Sequence, residues 1–234
     1  MSNQIKDQPE QTTSVDTDKV LMQDVSNVTK FFTLATLKTF LGNIANLFQG
    51  TSSAFAQSGY RDLIGEVDVK GSGSSDPTWT STFNGLFSYA FSATVNKEVF
   101  TTFHVDHDYK PGGNIFLHVH WMTIGTNAGT CRWGFEYSVA KGYNQGSASV
   151  FPATTTTYIE QVYSGVAKTH MVAELASSIT LTNVEPDSLI LCRVFRDASH
   201  ANDTLTDVAF MLKCDAHYET DRVATKNRNP NFYT

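Results

Sequence analysis

From residue 63 to residue 219, turn-forming clusters cut the chain into runs whose apolar and polar residues alternate, and that period of two is the strongest constraint on its fold. In TCRWGFEYSVA (130–140), Cys131, Trp133, Phe135, Tyr137 and Val139 share one face, opposite Arg132, Glu136 and Ser138. In DVAFMLKCDAHYE (207–219), Val208, Phe210, Leu212 and Cys214 share a face opposite Lys213 and Asp215. Further strands are read at 63–69, 78–91, 98–108, 114–124, 154–163, 169–177 and 188–197. The turns between them are KGSGSSDP, YKPGGN, GTNAG, KGYNQGS, NVEPD and DASHAND. Short strands joined this way predict an all-β protein, an antiparallel β-sandwich of jelly-roll-like type. No strand alternates with a helix, so doubly wound and TIM-barrel folds are excluded.

The 234 residues are 41% hydrophobic, enough for a sizeable core. Charged residues are sparse at 17%, the net charge is −6, and no basic stripe follows a phosphate backbone, which argues against a nucleic-acid partner. The three cysteines, Cys131, Cys192 and Cys214, form no CxxC pair and are odd in number. They read as buried thiols of a protein assembled in a reducing cytoplasm. The opening residues lack the basic start and apolar stretch of a secretory signal, and no run approaches the ~18 apolar residues of a membrane span.

Before the β region the pattern changes. Residues 1–17 are polar and read as a flexible arm, and VLMQDV (20–25) as a short extended segment. TKFFTLATLKTFLGNIANLFQG (29–50) is the one convincing helix, with Thr33 as N-cap and Gly50 as the residue past its end. Leu34, Leu37, Leu41, Ile44 and Phe48 are spaced 3, 4, 3 and 4, a heptad-like seam widened by Phe40 and Leu47. Such a stripe must be buried, on the chain's own β domain, on copies of itself or on another protein. Gly42 weakens the interior by ~1 kcal/mol relative to Ala, so the helix depends on partners. The expected organisation is an arm (1–17), an anchoring or oligomerisation segment with the helix (18–50), a linker (51–62), a β-sandwich (63–219) and an extended tail (220–234). The tail ends on Phe232 and Tyr233, aromatics expected to be tied down on a neighbour, the competing reading being a fold back on its own sheet.

FLHVHW (116–121) carries the sharpest chemical signal. His118 and His120 project from the same face of a strand, a spacing that suits a metal pocket. Upstream, His104, Asp106 and Asp108 share a face of the preceding strand, and the short KPGG connection predicts a hairpin that sets the two groups against each other. GGNIFLHVH resembles part of the first cupin motif, but WMTIG follows where that family needs a glutamate. His104, His118, His120 and a distant His217 are therefore candidate ligands for zinc or iron, as in a cupin-like metal enzyme. The competing reading makes Ile115, Leu117, Val119 and Trp121 the core face and the histidines a solvated or interface face; it is preferred, with no metal, no cofactor and no catalytic residue expected. DAHYETDR (215–222) offers acids near His217 of the kind glycosidases use, but acids are common at strand exits. Exposed Trp, Tyr and Asn residues would also suit a carbohydrate-binding module.

DKVLMQDVSNVTKFFTLATLKTFL (18–41) resembles the virion-anchoring segment of fibre and appendage proteins of tailed bacteriophages. FTTFHVDHDYKPGGNIFLHVHW (100–121) and DAHYETDRVATKNRNPNFY (215–233) look like structural proteins encoded among phage virion genes. The resemblance implies a non-enzymatic tail or head fibre, a homotrimer attached to other virion proteins through residues 18–50. It implies a β domain used for oligomerisation and for binding a host cell-surface glycan, and residence in the virion after assembly in the host cytoplasm.

Overall fold

A computed structural model describes residues 19–23, 29–33, 35–39, 41, 58–71, 74–180 and 182–233. The chain divides into two compact units, Met1–Gln57 and Ser58–Thr234.

In the first unit, β1 (Lys19–Gln23) pairs antiparallel with β2 (Thr29–Thr33), Lys19 opposite Thr33 and Gln23 opposite Thr29. Residues 29–33, the start of the run read as helical, pair instead as a strand, as their β-branched and aromatic residues favour. Helical residues follow at 35–39 and 41. Thr33 caps them as read: its hydroxyl accepts the Thr36 amide proton at 3.1 Å. Leu37 is half-buried and Leu41 is 53% exposed. Leu34, Ile44 and Phe48 of the expected seam, the arm at 1–17 and most of the linker lie outside the described residues.

The second unit is an antiparallel β-sandwich. Its strands are β3 (Gly59–Ile64), β4 (Glu66–Asp68), β5 (Thr78–Phe83), β6 (Leu86–Phe91), β7 (Lys97–His104), β8 (Ile115–Met122), β9 (Gly129–Ala140), β10 (Thr155–Tyr163), β11 (Met171–Glu174), β12 (Leu189–Arg196) and β13 (Ala209–Thr220). One sheet has the order β10-β9-β12-β7-β4 and the other β11-β8-β13-β6-β5, with β3 also on β13. Trp121, Trp133, Phe91, Phe103, Phe135 and Ile190 are buried between them, with Phe91 and Trp133 edge to face at 5.0 Å. Ile115, Leu117, Val119 and Trp121 form the core face of β8, as the alternation predicts. All three cysteines are free and buried.

Four details depart from the expected strands. The run 63–69 contains a sheet change at Gly65, before which β3 pairs with β13 and after which β4 pairs with β7. A Cβ at Gly65 would lie 2.0 Å from the Thr101 hydroxyl, so only glycine fits the crossing. The run 78–91 is a hairpin, turned by Asn84 and Gly85 with φ of 51° and 78°, the Asn-Gly signal of a type I′ turn. The strands read at 98–108 and 114–124 are not hairpin partners, because β7 and β8 lie in different sheets. Residues 105–114 cross between the sheets and are pinned on β13, with the Lys110 amide donating to the Glu219 carbonyl at 2.9 Å and Tyr109 bridging Thr220. Finally, a bulge between Met211 and Lys213 resets the parity of β13. Ala209, Met211, Cys214, Ala216 and Tyr218 face the core, while Val208 and Leu212, expected on the face of Cys214, are exposed.

One charged pair is sealed inside. Arg196 and Asp203 are fully buried, joined by two bonds from Nε and Nη2 at 2.9 and 2.7 Å. The remaining guanidinium protons go to the Asp207 carbonyl at 2.8 Å, the Phe91 carbonyl at 3.5 Å and the Leu205 carbonyl. This pair clamps the 197–208 connection onto the end of β12. Replacing Arg196 with Met leaves Asp203 buried and unpaired, and the expected cost is about 3–5 kcal/mol, read as a lower urea midpoint with unchanged slope.

Candidate functional site

The outer face of the six-stranded sheet carries the candidate site. Strand register assembles it. Glu174 on β11 stands opposite His118 on β8, which in turn stands opposite Asp215 on β13. His217, two residues beyond Asp215, stands opposite Asp62 on β3. His120 is two residues along β8 and faces Lys213. His170, just before β11, completes the group. The bulge in β13 makes this possible, since it turns Lys213, Asp215 and His217 outward together.

The imidazoles form a continuous chain. His118 Nε2 and His120 Nε2 are 3.1 Å apart, and His120 Nδ1 lies 2.8 Å from His170 Nε2. The His118 and His217 rings lie 4.2 Å apart at 32°. His217 bonds Glu174 through Nδ1 and lies 3.1 Å from Asp62 through Nε2. Asp215 Oδ2 is 3.8 Å from His120 Nε2 and 3.5 Å from the Lys213 ammonium. His118 is 1% exposed and Asp215 4% exposed, although both point away from the sandwich core. Two of their atoms, His118 Nδ1 and Asp215 Oδ1, are buried with no hydrogen-bond partner.

Burial lowers the pKa of His118, helped by the neighbouring His217 and His120, and burial likewise lowers that of His120. Both are thus held as neutral imidazoles with a lone pair available. Donor atoms of His118, His120 and Asp215 lie within 4.8 Å of one another, as do those of Asp62, His118 and His217.

Of the four histidines singled out from the sequence, three meet here: His118, His120 and His217. His104 does not join them. It ends β7 in the other sheet and bonds Asp187 Oδ1 at 3.0 Å, and with Asp106 it lines an open groove beside Arg61 and Glu66. The cupin-type combination of His104 with His118 and His120 is therefore not assembled. Asp215 is one of the acids of DAHYETDR, while His170, Glu174 and Asp62 carry no signal of their own in the sequence. The DAH triplet at 215–217 repeats the every-other-residue spacing of HVH and was the available signal for Asp215.

A second feature is apolar. On the β5–β6 hairpin, Trp79 and Phe87 are 59% and 54% exposed and lie 6.3 Å apart at 26°, with Tyr89 edge-on to Trp79 at 4.8 Å. This aromatic ledge has the geometry to receive a flat ligand face.

The third feature is the tail. Phe232 is buried against His107 and Tyr143, and the Tyr233 hydroxyl donates to the Tyr109 carbonyl at 3.1 Å. The terminal aromatics fold back on their own domain, because the sheet-crossing segment 105–114 supplies a cradle for them. Asp187 organises that cradle: it accepts the Tyr143 hydroxyl at 2.6 Å and His104, and lies 3.3 Å from His107. The Tyr143 hydroxyl also reaches the Arg228 carbonyl at 3.0 Å.

No protein-family model matches the chain, and no curated protein matches it. Among solved structures it is similar to an arabinose-bound α-L-arabinofuranosidase, at 11% identity and a TM-score of 0.28 over 72% of this chain and 24% of that one. It is also similar to a carbohydrate-binding module specific for non-crystalline cellulose, at 14% identity and a TM-score of 0.24 over 68% of this chain and 94% of the module. The chain spans about a quarter of the arabinofuranosidase. Likenesses this distant carry no argument about function.

Burial raises the Asp187 carboxyl, but the bonds from Tyr143 and His104 and the nearby His107 more than offset this, so its pKa is lowered. A lowered carboxylate stabilises the fold above its unfolded pKa of about 3.9, and the contribution is lost as pH falls through the folded value. Asp187→Asn tolerates the local φ of 63° and removes the charge and one of the two acceptor oxygens. The expected loss is about 1 kcal/mol at pH 7, with faster tryptic cutting at Lys226 and Arg228. The stability gap to wild type narrows once the pH falls below about 4, as urea midpoints across pH would show.

Proposed function

We propose that this chain is a non-enzymatic structural component of a bacteriophage virion, a homotrimeric fibre or short appendage. Its first unit attaches it to other virion proteins, and its β-sandwich supports self-association and contact with a host-surface saccharide. The observation that carries this reading is the separate N-terminal unit, in which a β-hairpin leads through the Thr33 cap into a helix with Leu41 more than half exposed. An exposed leucine on a capped helix behind a paired-strand entry is what an attachment segment can offer a partner. The sequence resemblance of residues 18–41 to phage anchoring segments supports the same reading. The Trp79–Phe87 ledge is the surface this proposal assigns to a saccharide, because aromatic faces pack against the apolar face of a sugar ring.

Light scattering on the purified full chain tests the proposal. The expected mass is about three times the 25.8 kDa chain, and deletion of residues 18–50 is expected to reduce it and to abolish incorporation into particles. A full chain that stays monomeric at every concentration, or a deletion variant that still incorporates, would overturn it.

A further inference from the structure

The outer-face cluster has a use that the appendage reading does not require. We propose that His118, His120 and Asp215 bind one divalent transition-metal ion, of the zinc, cobalt or nickel class, through both histidine Nε2 atoms and the Asp215 carboxylate. Three observations converge on this assignment.

The first is distance. Ligand atoms 2.0–2.1 Å from a tetrahedral zinc ion stand about 3.3 Å from one another. His118 Nε2 and His120 Nε2 are 3.1 Å apart, and Asp215 Oδ2 lies 3.8 Å from His120 Nε2. Donor atoms of His118 and Asp215 lie within 4.8 Å of each other, so side-chain adjustments on the order of an ångström bring the three to coordination distance. Two imidazoles and one carboxylate are a donor set that suits zinc and its neighbours better than magnesium or calcium.

The second is the pair of orphaned atoms. If a proton alone joins the two Nε2 atoms, His118 Nδ1 and Asp215 Oδ1 are left buried without partners, a costly arrangement. An ion at the Nε2 pair changes the tautomers. Each imidazole then carries its proton on Nδ1. The His120 Nδ1–H donates to His170 Nε2 at 2.8 Å, and the His118 Nδ1–H turns toward Glu174 Oε2, now 3.9 Å away. The Asp215 carboxylate gains its counter-charge. The His118 orphan is then met, with His170 and Glu174 orienting the ligands from behind, as supporting residues do at metal sites.

The third is charge. Asp62, Glu174 and Asp215 surround the imidazoles, and Lys213 is the cation at 3.5 Å from Asp215, on a side chain with room to move to solvent. The alternative trio of Asp62, His118 and His217 is less suited. His217 already bonds Glu174 through Nδ1 and pairs with Asp62 through Nε2, so neither of its nitrogens is left for an ion.

The full-length chain, treated with EDTA and returned to buffer, should be titrated with zinc chloride by calorimetry and with cobalt chloride by visible absorption. One ion per chain is expected, with cobalt bands of a nitrogen–oxygen site and no sulfur charge transfer. His120→Ala, at a partly exposed position, is expected to weaken zinc binding by about 100-fold or more, and Glu174→Gln by about 10–100-fold. His104→Ala, in the other sheet, is expected to leave binding unchanged. Circular dichroism of each variant separates lost binding from lost folding. Absence of saturable binding to the wild-type chain overturns the proposal. So does wild-type affinity in a folded His120→Ala variant, or a loss confined to Asp62→Ala while Asp215→Asn binds normally. None of these outcomes bears on the oligomeric state, so the site and the appendage reading stand or fall separately.

Discussion

The pairing of β8 with β13 organises the second unit. β13 is twelve residues long and holds β8 along one edge and β6 then β3 along the other. It therefore joins the chain's early, middle and final strands into a single sheet. Its bulge between Met211 and Lys213 sets which residues face inward. Without that extra residue the register would send His217 and Asp215 into the core and Cys214 and Ala216 to the surface. One backbone irregularity thus keeps the core apolar and gathers charge on the outer face.

Two buried polar groups in the sandwich show opposite solutions to one problem. The Arg196 and Asp203 side chains are completely enclosed, and the guanidinium finds a carboxylate and three carbonyls. Such a pair is complete within the chain and needs nothing further. The His118–Asp215 group is nearly as buried but is left with two unmet atoms. Buried polar groups in folded proteins are mostly satisfied, and the proposed ion is what would complete this group.

Much of the sandwich was legible because its signals are local. Alternation in 130–140 identifies β9 and its core face directly, and the turn clusters mark the strand ends. The pairing of strands was not legible. KPGG looks like a hairpin turn, yet ten residues at 105–114 carry the chain across to the other sheet, held there by Glu219 and Thr220, which lie over a hundred residues away. The same limit governs the site. HVH announces two ligands on one face, but Glu174, Asp62 and Asp215 reach them only through register with three other strands. The error over His104 has this origin too, since it followed from the assumed hairpin. Asn84-Gly85 is a different case: the turn chemistry was present in the sequence and was passed over within a longer apolar run.

The position of the cluster on the outer face has an energetic consequence. Changes to its ligands leave the packing between the sheets intact, because Ile115, Leu117, Val119 and Trp121 on the opposite side of β8 are unaffected. The two unmet atoms cost about 1–3 kcal/mol each when nothing completes them. A ligand present at a hundred times its dissociation constant returns about 2.7 kcal/mol to the folded state. The two quantities are of the same size. Occupancy of the proposed site would therefore stabilise the β8–β13 seam by about as much as the two unmet atoms cost it, without any change in the fold.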